Sequence, residues 1–420
     1  MAQPQQHPDR DFLALIGKIN RVFRPSAPID DRGLFAGRIK QLEQLVDIAM
    51  SPGQHAVMYG ERGVGKTSLA SVCRNILSGS TGFIAVKINC DVTDNFASIW
   101  GKVVDGLGRM HEAGELPTAD PGSAQAIERA AEVLGAMEVG PREAVDGLSV
   151  LAKKHKVVVF IDEFDTVLDF TSRTLFANTI KTLSDYNVDA TLVFVGVADT
   201  VDELIAEHES IGRNLFQILM PRMTVEELTD IITTGLDAAG MTADQDAVSY
   251  IVKLSQGLPH YTHLLAQKAA RNAASHGRRN IESEDVWQAV VAAVSNAQHS
   301  IKTLYHAATT SPQREHLYGK VLTACALARC DDLGFFAPAD VREPLQAVTG
   351  KNYQIPAFVR HLTDFCEVAR GPVLQRRGTS HKYRYRFLNP LLQPYVIMKG
   401  LSSDLITQDM ALGTDVRISG

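Results

Sequence analysis

The feature that most constrains the fold of this 420-residue chain is a glycine-rich octapeptide at residues 60–67. It reads GERGVGKT and matches G-x-x-x-x-G-K-[ST] at every fixed position. An apolar run at residues 56–59 precedes it, and a helix-like segment at residues 68–73 follows it. Strand, loop and helix in this order are the context that a phosphate-binding P-loop requires. The chain is therefore expected to bind a nucleoside triphosphate with Mg²⁺.

The residues of this loop suit different parts of a triphosphate. Glycines let the backbone curl so that successive N–H groups face the phosphates, and the next helix adds its positive N-terminal end. Lys66 offers a point charge to the β- and γ-phosphates, and the Thr67 hydroxyl is placed to bind Mg²⁺. The alternative is a glycine-rich turn before an ordinary helix. The predicted nucleotide-binding residues here are Gly60, Glu61, Arg62, Gly63, Val64, Gly65, Lys66, Thr67 and Ser68.

A second motif, residues 157–163 (VVVFIDE), complements the loop. Its continuous run of β-branched and aromatic residues is typical of a strand buried on both faces of a parallel sheet. Asp162 and Glu163 follow at the carboxyl end, where ligands bind in open α/β sheets. Asp162 is suited to hold Mg²⁺ through water, and Glu163 to orient and deprotonate an attacking water. An acidic helix N-terminus is the alternative.

Composition excludes several classes of protein. The formal net charge is −6, so any contact with nucleic acid must come from a local patch. The five cysteines include no C-x-x-C pair, which predicts reduced thiols of a cytoplasmic protein and neither a disulfide framework nor a zinc site. No apolar stretch approaches the ~18 residues of a membrane span, and residues 1–10 lack a signal-peptide core. We expect a cytoplasmic protein with no membrane segment.

Strand-like and helix-like segments alternate from residue 56 to about residue 220, which favours a parallel sheet flanked by helices. The pattern from residue 224 to about residue 298 is helical, and a capping box at residues 224–227 begins it. The candidate strands are residues 56–59, 83–88, 157–161, 191–197 and a short segment near residues 216–220.

The C-terminal third predicts a winged form of helix-turn-helix. Three helical stretches, at about residues 312–330, 338–347 and 355–368, precede a hairpin-like segment at residues 372–387. The predicted fold class is an α/β P-loop NTPase core, a parallel sheet flanked by helices, followed by an α-helical lid and a winged-helix domain. The predicted divisions are a leader at 1–30, the core at 31–222, the lid at 223–300, the winged helix at 301–403 and a tail at 404–420.

These motifs together resemble those of the AAA+ ATPases, and within them the Orc/Cdc6-like group that carries a C-terminal winged helix. Residues 60–67 correspond to Walker A and residues 160–163 to Walker B, and the order of parts agrees over roughly residues 34–400. Residues 35–38 (FAGR) are similar to the family's box before the first strand, so Phe35 and Arg38 are expected to help enclose adenine. The resemblance implies ATP and Mg²⁺ as cofactors and hydrolysis of ATP.

The resemblance also implies two sensors, and this chain departs from the family at both. Asp199 stands where a polar residue, often Asn, senses the γ-phosphate, and Thr200 is the adjacent candidate. A carboxylate there repels the phosphate unless a metal or an arginine intervenes. His260 stands where the lid normally carries an arginine. A helix-capping role for His260 is the alternative.

An arginine finger is the third implied element. Residues 210–216 are similar to the family segment that reaches the nucleotide of a neighbouring subunit, and Arg213 is the candidate finger. A guanidinium there would stabilise the charge that develops on the γ-phosphoryl group. This implies a homo-oligomer with the finger acting in trans. The alternative is a surface ion pair of Arg213 with Glu207 or Glu209.

The predicted hairpin is strongly basic. Residues 368–403 contain no Asp or Glu, and Tyr383 and Tyr385 alternate with cations, which places tyrosines and cations on opposite faces of a strand. A basic hairpin beside a helix-turn-helix predicts contact with duplex DNA. A solvated hairpin and a surface for an acidic protein are the alternatives. The candidate DNA-binding residues are Arg360, Arg376, Arg377, Lys382, Arg384 and Arg386.

The sequence thus predicts an ATP-binding and ATP-hydrolysing AAA+ switch that is coupled to DNA binding. Turnover is expected to be slow and to be stimulated by DNA or a partner. Two other functions stay open. One is a signal-transducing, STAND-like ATPase that uses the winged helix as a packing module and acts on a protein effector. The other is an ATP-dependent regulator of a defence or mobile-element complex, acting through protein partners.

Overall fold

The computed structural model describes residues 10–27, 33–116, 121–136, 138–198, 201, 204–205, 213–311, 317–379 and 382–413. The chain divides into two compact units. The first, here called the α/β unit, comprises Pro28–Glu61 and Gly65–Met220. The second, here called the helical unit, comprises Met1–Ala27, Arg62–Val64 and Pro221–Gly420. Within the described ranges, no helix is both long enough and apolar enough for a membrane span.

All five strands expected in the first half of the chain are present, within two residues of their predicted bounds. They form one parallel sheet in the order β2-β3-β4-β1-β5. The strands are β1 (His55–Gly60), β2 (Phe83–Asn89), β3 (Lys156–Asp162), β4 (Ala190–Val197) and β5 (Leu215–Leu219). The first seven helices are α1 (Arg10–Val22), α2 (Ile39–Met50), α3 (Lys66–Ser78), α4 (Phe96–Glu112), α5 (Pro121–Leu134), α6 (Pro141–Ala152) and α7 (Phe170–Asp185).

The core of the α/β unit lies around β3 and an aromatic cluster. Residues 157–162 of β3 are all buried, as expected for a central parallel strand. Phe176 of α7 packs against Phe96, Trp100, Phe164 and Phe194, with ring centroids 4.7 to 6.0 Å apart. Burial of these large rings supplies much of the apolar contact that holds α4 and α7 on the sheet. Because Phe164 lies two residues after the end of β3, the cluster anchors the sheet beside the two carboxylates of the second motif.

The remaining elements belong to the helical unit. Thr224 and Glu227 form the predicted capping box, with the Thr224 hydroxyl accepting from the Glu227 N–H (3.2 Å) and the Glu227 carboxylate accepting from the Thr224 N–H (2.9 Å). These elements are α8 (Val225–Ala239), β6 (Thr242–Ala243), α9 (Gln245–Ser255), α10 (Pro259–Ser275), β7 (Asn280–Ile281), α11 (Ser283–Ser295), α12 (His299–Thr309), α13 (Tyr318–Leu327), α14 (Arg342–Thr349), α15 (Ile355–Asp364), β8 (Leu374–Arg377), β9 (Arg384–Phe387), α16 (Leu392–Ser402) and α17 (Gln408–Leu412).

Two features of the helical unit were not expected from the sequence. Strands β6 and β7 pair in parallel within a stretch that was predicted to be entirely helical. Each is two residues long, too short to produce a recognisable alternation. Helix α1, within the predicted leader, packs on α8 and α10 through Phe23, the residue that follows it. A Cβ added to Gly235 of α8 would lie 2.5 Å from the Phe23 ring. Gln267 of α10 donates to the Phe23 carbonyl oxygen (2.7 Å).

The C-terminal part has the predicted order of three helices and a hairpin. Strands β8 and β9 pair antiparallel, from Leu374 opposite Phe387 to Arg377 opposite Arg384. In β9 the side chain of Tyr385 is buried and that of Arg384 is exposed, so the predicted separation of aromatic and cationic faces is confirmed for this strand.

The division of the chain into a leader, core, lid, winged helix and tail at the predicted boundaries stays a prediction.

His55 makes the stability of the α/β unit depend on pH. Its ring is fully buried, Nδ1 accepts from the Leu192 N–H (3.0 Å), and burial lowers its pKa from 6.5 to about 3. Because only the unfolded chain takes up a proton between these values, stability is complete above pH 6.5 and falls as the pH drops toward 3. The expected loss is up to ~1.4 kcal/mol per pH unit.

His55→Gln should remove this pH dependence, because the amide offers an acceptor to Leu192 and does not titrate. Denaturant unfolding of wild type and variant at several pH values below 6.5 measures it. The matched control is His111→Gln at an exposed position of α4. An equal slope of stability against pH in wild type and His55→Gln would contradict the assignment.

Candidate functional site

The P-loop leaves β1 through a backbone that only glycine can adopt. Gly60 has a φ of 147°, and a Cβ there would lie 2.4 Å from the carbonyl oxygen of Met220. Gly65 has a φ of 96° and is the N-cap residue of α3, which begins at Lys66. These conformations bring the N-terminus of α3 to the end of β1. The loop therefore has the arrangement that suits an anion at a helix N-terminus.

Lys66 is folded onto the carbonyl groups of its own loop. Its side chain is 8% exposed, and Nζ donates to the carbonyl oxygens of Gly60 (2.9 Å) and Glu61 (2.7 Å). Neutral carbonyl groups are weaker partners for an ammonium than a phosphate is. Lys66 is thus held at the loop by bonds that a triphosphate could replace with stronger ones.

The two motifs meet at Asp162. The Thr67 hydroxyl donates to Oδ1 of Asp162 across 3.4 Å, and the backbone N–H of Glu163 donates to the same oxygen across 2.9 Å. Asp162 is 2% exposed, whereas the side chain of Glu163 is exposed. Two residues predicted from segments 95 positions apart therefore lie in contact, as the proposed pairing of the motifs requires.

Glu163 has a strained backbone. Its φ is 57°, in the left-handed region that residues other than glycine rarely adopt. The Thr166 hydroxyl donates to its carbonyl oxygen (2.7 Å) and helps to hold this conformation. Such strain is concentrated at functional sites, where the surrounding structure maintains it. The conformation directs the carboxylate of Glu163, the residue after β3, to solvent at the edge that carries the P-loop.

These oxygens fit a magnesium ion. Oδ1 of Asp162 faces the Thr67 hydroxyl, whereas Oδ2 is buried and forms an ion pair with the Lys87 ammonium at 3.0 Å. Hydroxyl and carboxylate oxygens are the protein ligands that Mg²⁺ prefers, usually together with water and phosphate. Thr67 and Asp162 are therefore the residues that would hold Mg²⁺, and this role stays a prediction. Lys87 was not identified from the sequence, although it is the one charged residue within the apolar strand β2.

The other predicted nucleotide contacts have varied surroundings. Arg38 is 2% exposed and has a φ of 58° at the start of α2, and Phe35 is half-buried. Arg213 is exposed two residues before β5. Asp199, like Thr200, lies outside the described residues, and so do the two glutamates weighed as ion-pair partners of Arg213. Roles for Phe35, Arg38, Asp199 and Arg213 stay predictions.

His260 has a partner that the sequence did not suggest. It is the second residue of α10, whose N-cap is Leu258, and its Nδ1 lies 2.6 Å from the carbonyl oxygen of Pro25. Since a carbonyl only accepts, Nδ1 carries the proton and donates. Burial lowers the pKa of His260, and this hydrogen bond partly offsets the effect. The ring is therefore neutral at pH 7, and a sensor role for His260 stays a prediction.

The candidate DNA-binding residues fall into two groups. Arg384 donates to the Phe335 carbonyl oxygen (3.0 Å) and pairs with Asp331 (3.2 Å). The Arg386 guanidinium lies 4.6 Å from the centroid of the Phe335 ring, and its Nε donates to Gln375 (3.0 Å). These two arginines contribute to the packing of the hairpin. Arg360, Arg376, Arg377 and Lys382 are exposed, as Arg384 is, and the Arg376 guanidinium lies 4.5 Å from the centroid of the Tyr383 ring.

Residues 35–195 match the family model of the AAA ATPase domain. The match confirms the predicted resemblance to AAA+ ATPases, and the chain therefore contains an ATPase domain of this family. It spans the P-loop, β3 with its two carboxylates, and most of β4. No curated protein sequence matches the chain significantly.

Solved structures resemble most of the chain. A Walker-type ATPase of Pyrococcus abyssi has a TM-score of 0.54 at 16% identity, over 89% of this chain and 99% of that one. The ORC2 protein of Aeropyrum pernix, in ADPNP–ADP complexes, has a TM-score of 0.49 at 15% identity, over 91% and 98%. The ORC1 protein of Aeropyrum pernix, in complex with DNA, has a TM-score of 0.45 at 16% identity, over 92% and 97%. At these identities the similarity concerns the fold. The first of them supports the predicted α/β P-loop NTPase core with a helical C-terminal region, and the winged-helix domain stays a prediction.

Lys66→Ala should weaken the binding of ATP by at least ~100-fold, because it removes charge-assisted bonds to the phosphates. Titration calorimetry with Mg²⁺ and ATP measures the affinity. Lys181→Ala, at an exposed position of α7, is the matched control and should bind like wild type. Retained affinity in Lys66→Ala would refute the assignment of the loop.

Glu163→Gln should leave ATP bound and lower its turnover by about 10²–10⁴-fold, because an amide cannot take the proton of the attacking water. Single-turnover hydrolysis together with a binding titration separates the two effects. Glu132→Gln on the exposed face of α5 is the control. An unchanged rate in Glu163→Gln would exclude this residue as the base.

Proposed function

We propose that this protein is an ATP-binding and ATP-hydrolysing AAA+ switch that couples its nucleotide state to the binding of duplex DNA. The observation that carries the proposal is the meeting of Thr67, Asp162 and Glu163 beside Lys66. This set provides a phosphate-binding cation, ligands for a metal and a solvent-exposed carboxylate at one edge of the sheet. A P-loop alone would support binding of a nucleotide, whereas Glu163 adds a base for hydrolysis.

Each residue of the set has one task. Lys66 exchanges its loop carbonyl partners for phosphate oxygens, and the N-terminus of α3 adds its positive end. Thr67 and Asp162 would hold Mg²⁺, which would supply positive charge to neutralise the phosphates. Glu163 accepts a proton from the attacking water. Its fixed backbone and exposed carboxylate favour this role, because the side chain approaches water from a rigid strand end.

The remaining nucleotide contacts belong to the same proposal. Arg213, exposed ahead of β5, acts on the nucleotide of a neighbouring copy and makes the protein a homo-oligomer when ATP is bound. Phe35 and Arg38 contribute to the adenine site, and Asp199 senses the γ-phosphate. His260 is a weak second sensor at most, since its neutral ring already binds Pro25. Turnover is accordingly slow until an oligomer or DNA completes the site.

The DNA-binding part of the proposal rests on the hairpin and α15. Arg376, Arg377 and Lys382 are exposed around the β8–β9 turn, and Arg360 is exposed on α15. In a chain of net charge −6, a stretch of 36 residues (368–403) without a carboxylate is a local positive patch. Cations of this kind bind phosphates and position a protein on a duplex. Because α15 exposes few side chains that read bases, binding is expected to depend weakly on sequence.

One observation favours a second function, a signal-transducing ATPase in which the C-terminal hairpin is a packing module. Arg384 and Arg386, which alternate with Tyr385, are engaged by Asp331, Gln375 and Phe335. Cations with intramolecular partners suit a structural hairpin better than a surface that binds phosphate. DNA binding by the exposed cations distinguishes this function from the proposed one.

The double variant Arg377→Ala/Lys382→Ala should weaken duplex binding and reduce the slope of log K against log salt by about 0.9 for each lost phosphate contact. Fluorescence anisotropy over a salt series measures both. The control is Arg142→Ala/Lys153→Ala, on α6 and at its C-cap, which removes the same charge from exposed positions of the α/β unit. An unchanged slope would contradict contact through the hairpin, and no binding by wild type would favour the signalling function.

A further inference from the structure

We propose that Lys87 is a built-in counter-ion for Asp162 that keeps the metal-binding carboxylate neutralised until Mg²⁺ arrives with the nucleotide. The inference rests on the proposed Mg²⁺–nucleotide site and adds a positioning residue to it. Lys87 lies outside both sequence motifs, in the strand beside Asp162. If Lys87 neutralises Asp162, the protein does not bind Mg²⁺ before it binds the nucleotide.

The pairing of β2 with β3 brings Lys87 to the site. In the parallel register, Lys87 lies opposite Phe160 and Asn89 lies opposite Asp162. Residues two apart in a strand share a face, so Lys87 and Asn89 flank the carboxylate on one side of the sheet. The Lys87 ammonium donates to Oδ1 of Asn89 (2.9 Å) and lies 3.0 Å from Oδ2 of Asp162.

The two oxygens of Asp162 are divided between two kinds of partner. Oδ1 accepts from the Thr67 hydroxyl and from the backbone N–H of Glu163. Oδ2 forms an ion pair with the Lys87 ammonium and accepts no hydrogen bond from the described residues. A metal and its water would therefore approach from the Thr67 side, where they would replace the long hydrogen bond of the Thr67 hydroxyl to Oδ1 (3.4 Å). Its ion pair fixes the orientation of the carboxylate from the opposite side.

Burial decides how much this ion pair matters. The side chains of Lys87 and Asp162 are 16% and 2% exposed, so solvent screens the pair weakly. A buried carboxylate without a counter-ion is strongly unfavourable, and a free divalent cation would relieve it. With the ammonium in place, the charge is already balanced. The free energy of Mg²⁺ binding at this site is then favourable only when phosphates add their negative charge, as they do in a bound nucleotide.

Removing the ammonium should therefore create a response to Mg²⁺ in the absence of nucleotide. We expect Lys87→Met to lower the Tm by about 5–10 °C in EDTA, because Asp162 loses its counter-ion. Millimolar MgCl₂ should restore several degrees of that loss. The Tm of wild type should change no more with MgCl₂ than with NaCl of equal ionic strength. Mn²⁺ should also bind to nucleotide-free Lys87→Met and not to wild type, as measured by the loss of the free-ion electron paramagnetic resonance signal.

Three further variants test the cause of the response. Lys87→Arg keeps a cation and should behave like wild type toward Mg²⁺. The double variant Asp162→Asn/Lys87→Met removes both charges and should be less destabilised than Lys87→Met, with no response to Mg²⁺. Lys156→Met is the matched control, because Lys156 is also a strand lysine in an ion pair, with Asp189 at 3.2 Å, at the opposite end of β3.

Each outcome decides for or against the role of Lys87. A Lys87→Met protein with the Tm of wild type and no response to Mg²⁺ would overturn the proposal, and so would an equal response in the double variant. If Lys87→Met does not fold, folding of the double variant supports the pairing, and failure of both contradicts it. Since no nucleotide is present, the result is independent of whether wild type hydrolyses ATP. Loss of the proposed ATPase function would thus be recognised separately.

Discussion

The contact between Thr67 and Asp162 is the interaction on which the candidate site depends, because it joins the two halves of the nucleotide-binding apparatus. It exists because β1 and β3 are parallel strands of one sheet and both end at the same edge. The burial of β3 on both faces and the aromatic cluster around Phe176 fix the position of that edge. A carboxylate that follows such a strand is held rigidly and largely withheld from solvent.

Burial at this position also has a cost, and the structure offsets it locally. Asp162 accepts from Thr67 and from its neighbour's N–H, and Lys87 supplies a positive charge. Glu163, one residue later, is exposed because its backbone turns into the left-handed region. Two adjacent carboxylates thus acquire different environments, one suited to a metal and the other to water. This difference in environment is what separates the two chemical roles.

The sequence was sufficient for the elements and motifs whose signals are local. Short apolar runs located all five strands of the sheet, and the spacing of the glycines with Lys66 and Thr67 identified the P-loop. The alternation of cations and aromatic residues gave the faces of β9. What the sequence did not provide was contact between distant segments. Lys87 meets Asp162 only through the register of β2 on β3, and His260 meets Pro25 across 235 positions. The two-residue strands β6 and β7 leave no periodic signal at all.

The same limitation applies to the basic hairpin, where the sequence gave the charges and the structure gave their partners. Arg384 and Arg386 are engaged by residues near Phe335 that no local pattern connects to them. The proposal assigns contact with a phosphate backbone to the exposed cations at the turn of the hairpin and on α15. Nucleotide chemistry in the α/β unit and a positive patch in the helical unit are the two properties that the proposed switch would connect.

The most direct test of that connection is the affinity of the wild-type protein for a duplex, measured by anisotropy with ATP and Mg²⁺ and again with ADP. The account predicts binding that weakens steeply with salt and differs between the two nucleotides by about tenfold or more, since a switch must bind its target unequally in its two states. Equal affinity with ATP and ADP, or no binding in either state, would contradict it.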